Sequence, residues 1–70
     1  MDLIYVDSSN IEQIGYNADW SELHVIFKTG RHYVYSNVPF EVWEAFLNAP
    51  SKGIFLNTVI KKSGYPYRED

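Results

Sequence analysis

The chain has no cysteine, which excludes a disulfide framework, a thiolate metal site and a thiol nucleophile. Long apolar runs are missing too. The run at residues 3–6 is four residues long, against the 18 or so a membrane span needs. Asp2 stands where a secretory leader would carry a basic residue, so a cytoplasmic protein with no membrane association is expected. Lys and Arg are absent from residues 1–27, which carry Asp2, Asp7, Glu12, Asp19 and Glu22. All six Lys and Arg lie in residues 28–70, against Glu41, Glu44, Glu69 and Asp70. The first part is therefore at −5 and the second at +2, for a net charge of −3. Such a balance opposes polyanion binding by the whole surface but leaves the second part mildly basic.

What is present is apolar and aromatic. Hydrophobic residues make up 46% of the 70 positions and aromatics 17%, with 21% charged, a composition that folds. Seventy residues allow one domain, and so small a core needs most of its large side chains.

Punctuation along the chain marks the elements. Residues 3–6 read as an edge strand, Asp7-Ser8-Ser9-Asn10 as a turn, and residues 11–16 as a strand with Glu12, Ile14 and Tyr16 on one side. The strongest local signal is a hairpin over residues 22–36. Leu23, Val25 and Phe27 alternate with Glu22, His24 and Ile26, and Tyr33 and Tyr35 alternate with His32 and Val34. Lys28-Thr29-Gly30 fits a three-residue loop with Gly30 left-handed, which pairs Phe27 with Arg31, Val25 with Tyr33 and Leu23 with Tyr35. Both tyrosines then face the core; a two-residue loop would turn them outward.

After Asn37 the period becomes helical. Pro39 suits a first turn, and Val42, Trp43, Phe46 and Leu47 form one stripe. Pro50 ends that helix and Ser51 caps a second, with Phe55, Leu56, Val59 and Ile60 buried and Gly64 and Pro66 closing it. The predicted fold class is α+β, an antiparallel meander of three to four strands followed by two helices packed on one sheet face.

Taken in order, Gly15-Tyr16, Leu23-x-Val25-x-Phe27, Gly30, Tyr33-x-Tyr35, Val38-Pro39, Ala49-x-Ser51-x-Gly53 and the closing tyrosines resemble the KTSC domain, over a core of about residues 9–67 in a single domain. That family takes its name from an appendage at the C-terminus of some lysyl-tRNA synthetases and also occurs as free-standing small proteins. The resemblance implies RNA as the partner and brings no catalytic residues; Tyr33-x-Tyr35 and Ser51-Lys52-Gly53 are the positions that match its motif.

Three groups of residues carry possible recognition chemistry. Tyr33 and Tyr35 can form a base-stacking platform, although the hairpin pairing favours them as core. Ser51, Lys52 and Gly53 offer a phosphate the start of a helix, although ordinary capping needs the same residues. Lys61, Lys62 and Arg68, interleaved with Tyr65 and Tyr67, are the most nucleic-acid-like stretch, set against a solvated tail in which Glu69 and Asp70 offset the charge. His24 and His32 fall on the outward sheet face as surface residues, with Glu22 the only carboxylate near enough to complete a metal site, so no metal or other cofactor is expected. Trp20, in the first hairpin turn, is either a lid on the sheet end or an anchor for a partner.

The expected function is a non-enzymatic module that binds RNA weakly through the second helix and the basic, tyrosine-bearing tail. A protein-interaction or self-associating module is the alternative, motivated by Tyr5, Trp20, Phe40 and Tyr65, which have no obvious core slot. A binder of a small anionic, nucleotide-like ligand at Ser51 and Lys52 is the third.

Overall fold

The computed structural model describes all 70 residues. Strands β1 (Leu3–Tyr5), β2 (Ile11–Asn17), β3 (Glu22–Phe27), β4 (His32–Tyr35) and β5 (Tyr67–Glu69) form one antiparallel sheet in chain order. Helix α1 (Phe40–Asn48) and a second helix, α2 (Lys52–Phe55), lie between β4 and β5 in sequence, and α2 runs on as a π-helical turn over Leu56–Ile60. The α+β class and the two helices stand as expected, and the sheet gains a strand.

The hairpin follows its loop chemistry. Gly30 sits at φ 93°, the Phe27 N–H donates to the Arg31 carbonyl at 2.8 Å, and Val25 pairs with Tyr33 and Leu23 with Tyr35. The inner face follows from that register. Ile11, Ile14, Leu23, Val25 and Tyr35 pack with Val38, Phe46, Leu56 and Ile60 in one core cluster, with the Phe46 and Phe55 rings stacked at 5.3 Å.

Strict alternation fails at one place in β2. The register shifts between Ile11 and Gln13, so Ile11 and Ile14 both enter the core while Glu12 is exposed. Glu12 therefore does not share a face with Ile14: a β-bulge adds a residue and re-aims the side chains before it.

Local signals account for the helix boundaries. Pro39 is the N-cap of α1, and the Ser51 hydroxyl accepts from the Ile54 N–H at 3.2 Å at the start of α2. The second helix widens at Thr58-Val59-Ile60, three β-branched residues in a row, which crowd a regular α turn. There the Lys61 N–H reaches back five residues to the Leu56 carbonyl at 2.9 Å. The Thr58 and Ser63 hydroxyls donate to the Ile54 and Val59 carbonyls at 2.7 and 2.6 Å. Gly64, at φ 77°, then turns the chain back toward the sheet.

The tail is not solvated chain. Residues 67–69 add β5 to the edge of β4, with Tyr35 opposite Tyr67, Val34 opposite Arg68 and Tyr33 opposite Glu69. Tyr67 therefore joins the inner face and Arg68 the outer one.

A tyrosine cleft as the candidate functional site

Between the outer part of the inner face and the end of the second helix lies a cleft of about 480 Å³, lined by Tyr33, Tyr35, Lys61, Gly64, Tyr65 and Tyr67. Each wall has a local cause. Alternation in β4 and β5 puts Tyr33, Tyr35 and Tyr67 on one face, and the π turn delivers Lys61 and the Gly64 reversal to the rim. The rings brace one another edge-on. Phe27 meets Tyr33 at 5.7 Å, Tyr33 meets Tyr67 at 6.0 Å, and Tyr35 meets Tyr67 at 5.7 Å between centroids.

The four phenols differ in accessibility. Tyr67 is 66% exposed, Tyr33 and Tyr65 are half-buried, and Tyr35 is 4% exposed. Burial, with Tyr33 and Tyr67 beside it, raises the Tyr35 hydroxyl above its ordinary value of 10.0, so it stays protonated. Arg31 donates to the Tyr33 hydroxyl at 3.5 Å and lies 3.6 Å from Glu69. Lys61 has no acidic partner, and no carboxylate lines the cleft. The inward orientation of Tyr33 and Tyr35 therefore does not seal them off, because the helices cover the sheet only as far as this cleft.

The structure brings together Lys61, Tyr65 and Tyr67 from the predicted stretch and adds the two motif tyrosines. It separates the other candidates. Arg68 lies on the opposite face, 3.0 Å from Glu22 and 3.5 Å from Asp70. Lys62 is exposed and unpaired next to Lys61. Lys52 donates to the Ala49 carbonyl at 2.7 Å, and the Ser51 hydroxyl is taken by capping. Gly53 allows close packing: a Cβ there would lie 3.3 Å from Asn10 Oδ1, so it faces the turn between β1 and β2. Ser51-Lys52-Gly53 is accordingly a cap and a packing contact.

The outer face corrects another expectation. His24 is 8% exposed and hydrogen-bonds through Nδ1 to His32 Nε2 at 2.8 Å. Burial, then His32, lowers its pKa from 6.5; Arg68 lowers it further, while Glu22 and Asp70 oppose the shift. No three potential ligand side chains converge as a metal site anywhere in the chain. Trp20 is 72% exposed and does not act as a lid.

The part played by Tyr33, Tyr35 and Gly64 in a cleft was missed by sequence reasoning, because β5 was. The signal was present: Tyr65, Tyr67 and Glu69 alternate with Pro66, Arg68 and Asp70. Pro66 reads as a stop, yet it sits just before the strand, where no ladder N–H is required.

Comparison with known proteins places this architecture. Residues 7–65 match the sequence model of the KTSC domain. A protein of Stutzerimonas stutzeri is 37% identical over 67 residues, covering 96% of this chain and 94% of its own length. A protein of Tsukamurella paurometabola is 41% identical over 56 residues, with 80% and 84% coverage. The crystal structure of a KTSC domain protein from Yersinia pestis superposes with a TM-score of 0.89 at 36% identity, covering 99% of this chain and 96% of that one. No helix of the protein is long and apolar enough to cross a membrane.

Proposed function

The chain belongs to the KTSC domain family, and from that premise and the shape of the cleft we propose that it is a non-enzymatic, cytoplasmic module that binds single-stranded RNA. The carrying observation is a cleft walled by four tyrosines with an unpaired lysine at its rim. A base enters between Tyr67 and Tyr65 and stacks there, while Lys61 and the adjacent Lys62 meet backbone phosphates. The volume of about 480 Å³ suits one nucleotide, within the range of small-ligand sites.

Because Lys52 and Arg68 are engaged elsewhere, Lys61 and Lys62 are the two of the four candidate cations left for phosphates. Two contacts on a single strand weaken binding by about sevenfold between 50 and 200 mM salt. Titration of fluorescent octaribonucleotides across that range tests this. Tyr67→Ala is expected to weaken binding by about 5- to 150-fold, the worth of one stacked base. Absence of binding at 50 mM salt overturns the proposal.

A second reading rests on Trp20 and Phe40, 72% and 51% exposed. The Val38 N–H donates to the Ser21 carbonyl at 2.9 Å, so the segment leading into α1 is tied to the turn that carries Trp20. Exposed aromatics of this kind anchor protein partners or a second copy of the chain. Light scattering up to high protein concentration distinguishes self-association from a strict monomer.

A further inference from the structure

We propose that the Tyr35 hydroxyl is the base-reading group of the cleft and that it selects bases presenting carbonyl oxygens, uracil above all, over adenine. The inference rests on the nucleic-acid reading above and concerns which base the cleft holds.

Its starting point is a hydroxyl without a partner. Tyr35 is 96% buried, since only 4% remains exposed, yet its oxygen makes no hydrogen bond within the protein. Buried tyrosines ordinarily satisfy that group, as Tyr16 does on the Val38 carbonyl at 2.6 Å. No fully enclosed side-chain polar atom in the chain is left without a partner, so the Tyr35 oxygen must touch open space. The open space that Tyr35 lines is the cleft. The hydroxyl therefore lies at the inner wall, where a base edge arrives once its ring is held between the outer tyrosines.

The surroundings decide what it reads. A protonated phenol donates, and the unpaired Lys61 ammonium makes the cleft electropositive, which favours acceptor atoms on the ligand. Neither a carboxylate nor a side-chain amide lines the cleft to receive an exocyclic amino group. Uracil presents two carbonyl oxygens, whereas adenine's ring-nitrogen acceptors N1 and N7 each flank an exocyclic amino group that projects a second donor toward the phenol and the ammonium. A site that sets a donor at the base edge and a cation at the rim ranks the acceptor-rich edge above the mixed one.

Removing the oxygen is a clean perturbation. Tyr35→Phe keeps the ring in the core and strands no partner, so thermal stability should hold and a loss of discrimination will not reflect misfolding. The experiment compares rU8 with rA8 on wild type and Tyr35→Phe at 50 mM salt, with uridine monophosphate alongside. Wild type is expected to prefer rU8 by about three- to tenfold, the worth of one neutral hydrogen bond, and Tyr35→Phe to lose that preference. A preference for rA8, or an rU8/rA8 ratio unchanged in the variant, overturns the role of Tyr35 while leaving RNA binding in place. No binding of either octamer or of the mononucleotide overturns the nucleic-acid reading and this inference with it. If uridine monophosphate binds as tightly as rU8 and the preference still depends on Tyr35, the cleft serves free nucleotides and the base-reading role stands.

Discussion

Tyr16→Phe isolates one hydrogen bond on which the join between sheet and helices depends. Tyr16 lies at the end of β2, stacked on Trp43 at 5.7 Å and edge-on to Phe40 at 6.1 Å, and its hydroxyl donates to the Val38 carbonyl at 2.6 Å. Val38 is fully buried, and that carbonyl accepts no other hydrogen bond in the protein. Phenylalanine keeps both ring contacts and leaves the carbonyl orphaned, at a cost of about 1–3 kcal/mol. Seventy residues at about 2.1 cal/mol/K each give an unfolding entropy near 150 cal/mol/K, so the melting temperature should fall by about 7–20 °C. Against a total stability of about 3.5–10 kcal/mol for this length, that is a substantial share. Circular dichroism melts and urea titrations of the two proteins measure it, with an unchanged urea slope expected. A drop of less than about 3 °C would refute the reasoning, because the carbonyl would then be satisfied from elsewhere.

Two further outcomes follow from the outer face. The folded state holds His24 neutral, its pKa below the unfolded value of 6.5, chiefly through burial and the contact with His32. The unfolded chain therefore binds the proton first: the stability from this site is complete above about pH 6.5 and is lost as pH falls through the depressed folded value. Urea midpoints between pH 4.5 and 7.5 should rise across this window, and a parallel rise in His24→Gln would exclude His24 as the source. Gly15→Ala puts a Cβ 2.8 Å from Leu3 Cδ2 and 3.0 Å from the Asp2 carbonyl oxygen, so the Leu3 side chain must turn aside and the backbone leading into β1 must give slightly, at a cost of about 1–3 kcal/mol. Amide exchange should speed up at residues 3–5 and little elsewhere; unchanged protection there would show that β1 accommodates the methyl group.

Much of the architecture was legible residue by residue. The Lys28-Thr29-Gly30 loop set the register of β3 against β4, because only one loop length places glycine at the left-handed position. Pro39 and Pro50 marked helix ends through fixed backbone angles and missing donors, and Ser51 through its capping hydroxyl, all of which act locally. The bulge at Glu12 was not legible: it depends on what Ile11 and Ile14 pack against across the sheet. Nor was the burial of His24, which requires β4 and β5 to bring His32, Arg68 and Asp70 to the same face.

The amino-acid order by itself determined the first four strands, the two helices, the hairpin register, the inward aim of Tyr33 and Tyr35, and the candidate cations. Only the tertiary structure decided which of them work together. Docking of residues 67–69 on β4 sent Tyr67 into the cleft and Arg68 to the far face, and a carbonyl within reach bound Lys52 while Lys61 stayed unpaired. Backbone angles and periodicity are short-range and can be read along a chain. The division of six cations and six tyrosines between structural contacts and an open cleft is a matter of long-range proximity, which exists only once the sheet has closed on its fifth strand.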